Sequence, residues 1–158
     1  MPIYMKYDGI DGDVTAEGHE KWVELNSFQW GVGRGISSPT GASADRESSA
    51  PSISEIVVTK AQDIATTKIL DEALQGEGKK VTIDFVKTDG KKLEVYMVYK
   101  LEDVLISGYS ISSGGDRPSE SLSLNFTKIE FKGTQMDKAN KGAGGASVTY
   151  DLAKATVV

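Results

Sequence analysis

The chain has 158 residues, sets 18 Lys and Arg against 23 Asp and Glu for a net charge of −5, and contains no cysteine. That length suits one domain spanning residues 1–158. The acidic balance argues against nucleic-acid binding, which needs a basic footprint, and against docking on an anionic membrane. Disulfides, thiol catalysis and cysteine metal sites are excluded.

Ile3, Met5 and Tyr7 alternate with Tyr4 and Lys6, predicting a first strand over residues 3–8 where a signal peptide would need an apolar core. The chain is therefore expected to be made and folded in the cytoplasm and, if it leaves the cell, to do so without a cleaved signal; no run approaches membrane-spanning length. Asp8-Gly9-Ile10-Asp11-Gly12-Asp13 is a turn cluster whose aspartates lack the ligand spacing of a calcium loop. A long strand is predicted from about Lys21 to Gly35. Val23 and Leu25 share one parity and Phe28 and Trp30 the other, so one extra residue near Asn26 or Ser27, a β-bulge, is needed to keep all four on one face. Residues 36–52, rich in Ser, Gly, Ala and Pro, read as a long extended loop.

The β-branched run Ser54–Lys60 predicts a strand. One short helix follows. Ile69, Leu70, Ala73 and Leu74 form its apolar stripe, Thr66, Thr67 or Asp63 starts it, and Gly76 is expected to stop it in the left-handed conformation. Val81, Ile83 and Phe85 alternate into a strand that turns at Thr88-Asp89-Gly90. Leu93 to Leu101 then share odd parity and Val104 and Ile106 even parity, predicting a second bulge near Glu102-Asp103. Leu122, Leu124 and Phe126 alternate before Ile129 and Phe131 shift parity a third time. Residues 137–146 are Gly- and Lys-rich and predict a mobile loop, with a last strand over 147–152. Seven or eight strands with three parity shifts predict a mainly β chain: an antiparallel β-barrel of two packed sheets, closed or nearly closed, with one short α-helix.

The search for chemistry returns little. His19 is the single histidine, so no second imidazole completes a metal site, and an ordinary turn or strand-edge role is expected. Gly31-Val32-Gly33-Arg34-Gly35 lacks the following helix that a phosphate loop requires. Trp22, Phe28 and Trp30 read as core or subunit contacts rather than a ligand-stacking platform. Glu55 and Arg117 read as surface charge rather than interfacial ion pairs, and Lys138 and Lys141 as members of a solvated loop. No catalytic residue, cofactor or metal is expected, and the chain reads as a non-enzyme whose function is a surface. The competing reading is a monomeric or dimeric β-barrel binding module for a small ligand, with the aromatics lining its pocket.

A set of short motifs carries a resemblance. Tyr7-Asp8-Gly9-Ile10 precedes Gly12; His19 precedes Trp22-Val23-Glu24-Leu25; Ser27-Phe28-Gln29-Trp30-Gly31 precedes Arg34. Ser54-Glu55-Ile56, Thr59-Lys60 and Asp63 come next, followed by Leu101 to Ser107, Asp116-Arg117-Pro118-Ser119-Glu120, Leu124 to Ile129 and Tyr150-Asp151-Leu152. Together and in this order they resemble the Hcp (haemolysin-coregulated protein) family, the inner-tube subunit of the bacterial type VI secretion system. The resemblance implies a hexameric ring, rings stacked into a hollow tube inside a contractile sheath, and effector proteins carried in the lumen. The implied partners are the chain itself, the spike protein, sheath and baseplate proteins and effector cargo. The implied destination is the extracellular medium or a target cell. On this basis Pro39, Thr40, Gly41, Arg46 and Glu47 are the expected ring-stacking residues of the 36–52 loop, and Gln29, Ser110, Ser112 and Ser113 the expected lumen and cargo residues.

Overall fold

Two-residue alternation of apolar side chains organises most of the chain. The computed structural model describes residues 1–37, 47–136 and 142–158. Its elements are β1 (Ile3–Tyr7), β2 (Val23–Leu25), β3 (Ser27–Gln29), β4 (Val32–Gly33), β5 (Ile36–Ser37), β6 (Glu47–Ser48), β7 (Ser52–Ile53), β8 (Ile56–Ala61), α1 (Thr66–Gln75), β9 (Lys79–Asp89), β10 (Lys92–Ser112), β11 (Ser119–Asn125), β12 (Lys128–Met136), β13 (Gly142–Asp151) and β14 (Thr156–Val157).

The first sheet runs β2-β1-β9-β10-β12-β13-β14, and the second runs β3-β8-β11 and ends on the C-terminal part of β10; every pair is antiparallel. β10 belongs to both. Its residues up to Val104 pair with β9 and those up to Glu102 with β12, while Leu105–Ser112 pair with β11. The register against β9 slips between Leu101 and Val104, where Asp103 takes φ +58°. This is the bulge predicted at Glu102-Asp103, and it lets one long strand turn from sheet to sheet.

The other two parity shifts have a different cause. The strand expected over 21–35 is instead β2 and β3, which lie in different sheets and meet at Asn26, whose N–H donates to the Thr59 carbonyl at 2.7 Å. Val23 and Leu25 therefore face the core from one sheet and Phe28 from the other. The shift after Phe126 is likewise a corner, between β11 and β12. A change of sheet turns the chain over just as an inserted residue does, so parity alone does not separate the two.

The expected closed barrel is open. Among the described residues no ladder joins β14, the far edge of the first sheet, to β2 or β3. The 36–52 segment is not loop throughout: β4 pairs with β7 and β5 with β6, and Gly31 N–H donates to Ser54 Oγ at 2.9 Å. Residues 142–146, expected in a mobile loop, belong to β13 and pair with β12.

The core is filled by Met5, Tyr7, Val23, Ile83 and Leu101 from the first sheet and Ile56, Val58, Ile106, Leu122 and Leu124 from the second. α1 closes one side with Ile69, while Ala73 rests on the core; Leu70 and Leu74 of the expected stripe remain 42% and 78% exposed. Ala65 occupies the N-cap position without a side-chain bond. Asp63 serves instead, its Oδ1 accepting from Ala65 N–H at 2.9 Å while its own N–H donates to Thr66 Oγ1 at 3.0 Å. Gly76 is extended rather than left-handed, at φ −68° and ψ 156°. It stands there for space, since a Cβ would overlap the Glu72 carbonyl and carboxylate.

Candidate functional site

Alternation along the second sheet sends Ile56, Val58, Lys60, Glu120, Leu122 and Leu124 inward and the residues between them outward. The ladders align the outward residues in rows. Ser27 of β3 stands opposite Thr59 of β8, Thr59 opposite Ser121 of β11, and Ser121 opposite Ser110 of β10. The Ser27 and Thr59 hydroxyls are 2.5 Å apart. A neighbouring row holds Gln29, Val57, Ser123 and Gly108, and a third holds Ala61, Ser119 and Ser112. Small hydroxyl side chains dominate these rows and no charged residue occurs in them. Glu55 lies at their margin, where its carboxylate accepts a hydrogen bond from Ser107.

The outer face of the first sheet is the opposite in character. Lys100 stands across from Glu130 and Glu102 across from Lys128, and an open depression of about 240 Å³ is lined by Lys80, Lys100, Glu102, Lys128 and Glu130. The two outer surfaces of one sandwich thus differ in kind, one neutral and hydroxylated, the other charged.

Beneath the hydroxyl face lies a buried polar knot. Lys60 Nζ, fully buried, donates to Glu120 Oε2 at 2.5 Å, to Asp63 Oδ1 at 2.8 Å and to the Ala61 carbonyl at 3.0 Å. Tyr109 OH donates to Glu120 Oε1 at 2.6 Å and Thr66 Oγ1 to Oε2 at 2.9 Å. Every donor of the ammonium is used, the condition under which a buried charge is tolerable. The knot ties β8, β10, β11 and α1 together behind the exposed rows. Its sequence signal was present, since Lys60 and Glu120 are charged yet in phase with the inward apolar residues of their strands.

Burial would raise the Glu120 pKa, but the hydrogen bonds from Lys60, Tyr109 and Thr66 outweigh it and hold the carboxyl below its usual range. A carboxyl lowered on folding contributes stability above its unfolded pKa, and that contribution disappears as pH falls through the folded value. Thermal melts from pH 7 down to pH 3 should accordingly show the gap between the parent and Glu120→Gln narrowing as acid is added. A gap that stays constant contradicts this assignment.

His19 is buried rather than at a strand edge. Its Nε2 donates to Asp84 Oδ2 at 2.8 Å, and the ring lies between Tyr4 and Trp22 at centroid distances of 5.0 and 4.6 Å. This pins the β1–β2 connection onto β9. Phe28 and Trp30 join Tyr99 at 4.8 and 5.7 Å in an aromatic cluster that continues to Phe85 and Phe131. These rings pack on one another as core.

Residues 4–132 match the family described as type VI secretion system effector, Hcp. The chain belongs to the Hcp family. A solved structure described as a type six secretion system protein superposes with a TM-score of 0.91 at 26% identity, covering 99% of both chains. Hcp1 from Salmonella typhimurium shares the fold at a TM-score of 0.77 and 19% identity, covering 99% of this chain and 98% of its own. A type VI secretion system effector from Yersinia pestis does so at 0.73 and 23%, covering 94% and 98%. No curated protein matches the sequence. The match makes this Hcp chain a tube and effector protein of type VI secretion.

Of the residues expected to matter in this Hcp chain, Gln29, Ser110 and Ser112 come together on the hydroxyl face, joined by Ser27, Thr59, Ser119, Ser121 and Ser123, which the sequence reading missed. Ser113 lies just past β10, in a turn where its Oγ donates to the Asp116 carbonyl at 2.8 Å and accepts from Gly115 N–H at 3.2 Å. Glu47 begins β6. Pro39, Thr40, Gly41 and Arg46 lie outside the described residues, as do Lys138 and Lys141. Arg117 Nε donates to the Gln62 carbonyl at 2.6 Å, holding the β10–β11 turn against the segment before α1. Among the described residues no group of three or more His, Cys, Asp or Glu is placed to hold a metal ion, and no helix is long and apolar enough to cross a membrane.

Proposed function

We propose that this chain is the structural subunit of the type VI inner tube. Six copies close into a ring, rings stack into a hollow tube driven by the sheath, and the hydroxyl face of the second sheet lines the lumen and carries effector proteins. That uncharged face supports the reading best. A lumen must take up and release cargo of varied surface charge. A lining of short hydroxyls offers hydrogen bonds without the desolvation cost or sign preference of a charge.

Ring closure requires heterologous contact between two different faces of the subunit. Exposed apolar residues at separate places suit it: Val148 and Val157 on β13 and β14, and Leu105 and Ile111 on β10. The spike, baseplate and sheath are the further partners this reading requires. Pro39, Thr40, Gly41, Arg46 and Glu47 remain its loop contacts between rings.

Light scattering behind a sizing column tests the assembly. Six chains of 16.9 kDa give a particle of about 100 kDa. A particle that stays at the mass of one or two chains at every concentration refutes the ring and favours the small-ligand binding module.

A further inference from the structure

Charge is distributed unevenly along the first sheet. β9 runs from Lys79 to Asp89, about 33 Å at about 3.3 Å per residue. Its start is an acidic end, where Asp8, Glu77, Glu102 and Asp103 outnumber Lys79 and Lys80. Asp8 N–H donates to the Lys80 carbonyl at 3.0 Å, Glu77 lies in the connection from α1, and Asp103 packs its side chain on Gly78; all three acids are exposed. Lys79, at the same end, is already held by Glu72. At the far end the turn between β9 and β10 presents Lys91 and Lys92, both exposed. Lys92 stands across from Asp89 in the ladder, and among the described side chains Asp8, Glu77, Asp103 and Lys91 have no ion-pair partner.

We propose that these two ends are mating faces between successive rings, with Lys91 and Lys92 of one copy set against Asp8, Glu77 and Asp103 of the next. The inference rests on the stacked-ring reading and names the chemistry of its stacking contact. Ends of opposite sign attract when identical rings meet head to tail and repel when they meet head to head, so the same charges also set the polarity of the tube. An exposed ion pair is individually weak, but a ring repeats it at every subunit, and the sum stays sensitive to salt. The screening length shrinks from about 30 Å at about 0.01 M salt to about 3 Å at about 1 M, so ionic strength is the natural control on assembly and release.

The test uses two charge-reversed forms of the full chain, Lys91→Glu with Lys92→Glu, and Asp8→Lys with Glu77→Lys. The first has two acidic ends and the second two basic ends. Particle mass is followed by light scattering at about 0.02 M and about 0.5 M salt, and the parent should need about tenfold more protein to exceed ring mass at the higher salt. Each variant should remain at ring mass at both salts, and an equal mixture of the two should regain the larger species at low salt. Should Asp8→Lys disturb its turn, as judged by a lowered melting temperature, Glu77→Lys alone replaces the second variant.

Variants that stack like the parent, or parent stacking that ignores salt, overturn the proposal. Parent rings that never exceed ring mass overturn it too while leaving the ring intact. A parent that runs as one subunit shows instead that the ring reading has failed.

Discussion

Lys60→Met is expected to destabilise the fold by about 3–5 kcal/mol, because it strands the Glu120 carboxylate in a site with no access to water. For a chain of this length that lowers the melting temperature by roughly 10 °C. The double variant Lys60→Met with Glu120→Leu should recover more than half of the loss. An apolar pair of similar volume removes the Lys60 and Glu120 charges together, leaving the Tyr109 and Thr66 hydroxyls and the Ala61 carbonyl to find new partners while the Asp63 carboxylate keeps its bond from Ala65 N–H. Thermal denaturation of the parent, the single variant and the double variant decides the matter. A single variant melting within roughly 2 °C of the parent would mean that water reaches Glu120 and that the knot is not sealed.

Ser121→Trp is expected to abolish cargo retention while leaving assembly intact. Ser121 sits between Thr59 and Ser110 on the hydroxyl face, where an indole projects outward from a sheet whose core side is untouched. The readout is the amount of a co-expressed effector of the same secretion system that copurifies with the tagged ring. The expected loss is at least about tenfold, equivalent to about 1.4 kcal/mol of binding. Lys100→Trp, on the charged outer face of the first sheet, is the matched control and should retain cargo. Equal loss in both variants, or loss in neither, would separate the hydroxyl face from cargo binding.

The two variants probe the two sides of one strand pair, and they differ in how readable each side is from sequence. Ser119, Ser121 and Ser123 alternate with Glu120, Leu122 and Leu124, so the two faces of β11 are visible at once. Which face meets the core is also visible, because the leucines choose it. Alternation does not reveal that Ser27, Thr59 and Ser110 lie beside Ser121. Strand neighbours are chosen by hydrogen bonding between segments far apart in the chain, and Ser27 reaches Thr59 only because the chain leaves the first sheet at Asn26. The same limit explains His19. Its bond to Asp84 spans 65 positions, and nothing local in either segment signals the other.

Local physics by itself determined the strands with clean alternation, one short helix ending before Gly76 and the bulge at Glu102-Asp103. Each depends on residues within a few positions of one another. The motif order pointed to the Hcp family, to which the match over residues 4–132 assigns the chain. Only the tertiary structure decided that parity shifts at Asn26 and Phe126 are changes of sheet, that the barrel stays open, and that Leu70 and Leu74 face solvent. It alone gathered scattered serines and threonines into one neutral surface and paired Lys60 with Glu120 beneath it. The reason is that burial and pairing belong to two segments jointly. One residue's chemistry sets what its environment must supply, and the fold determines which distant residue supplies it.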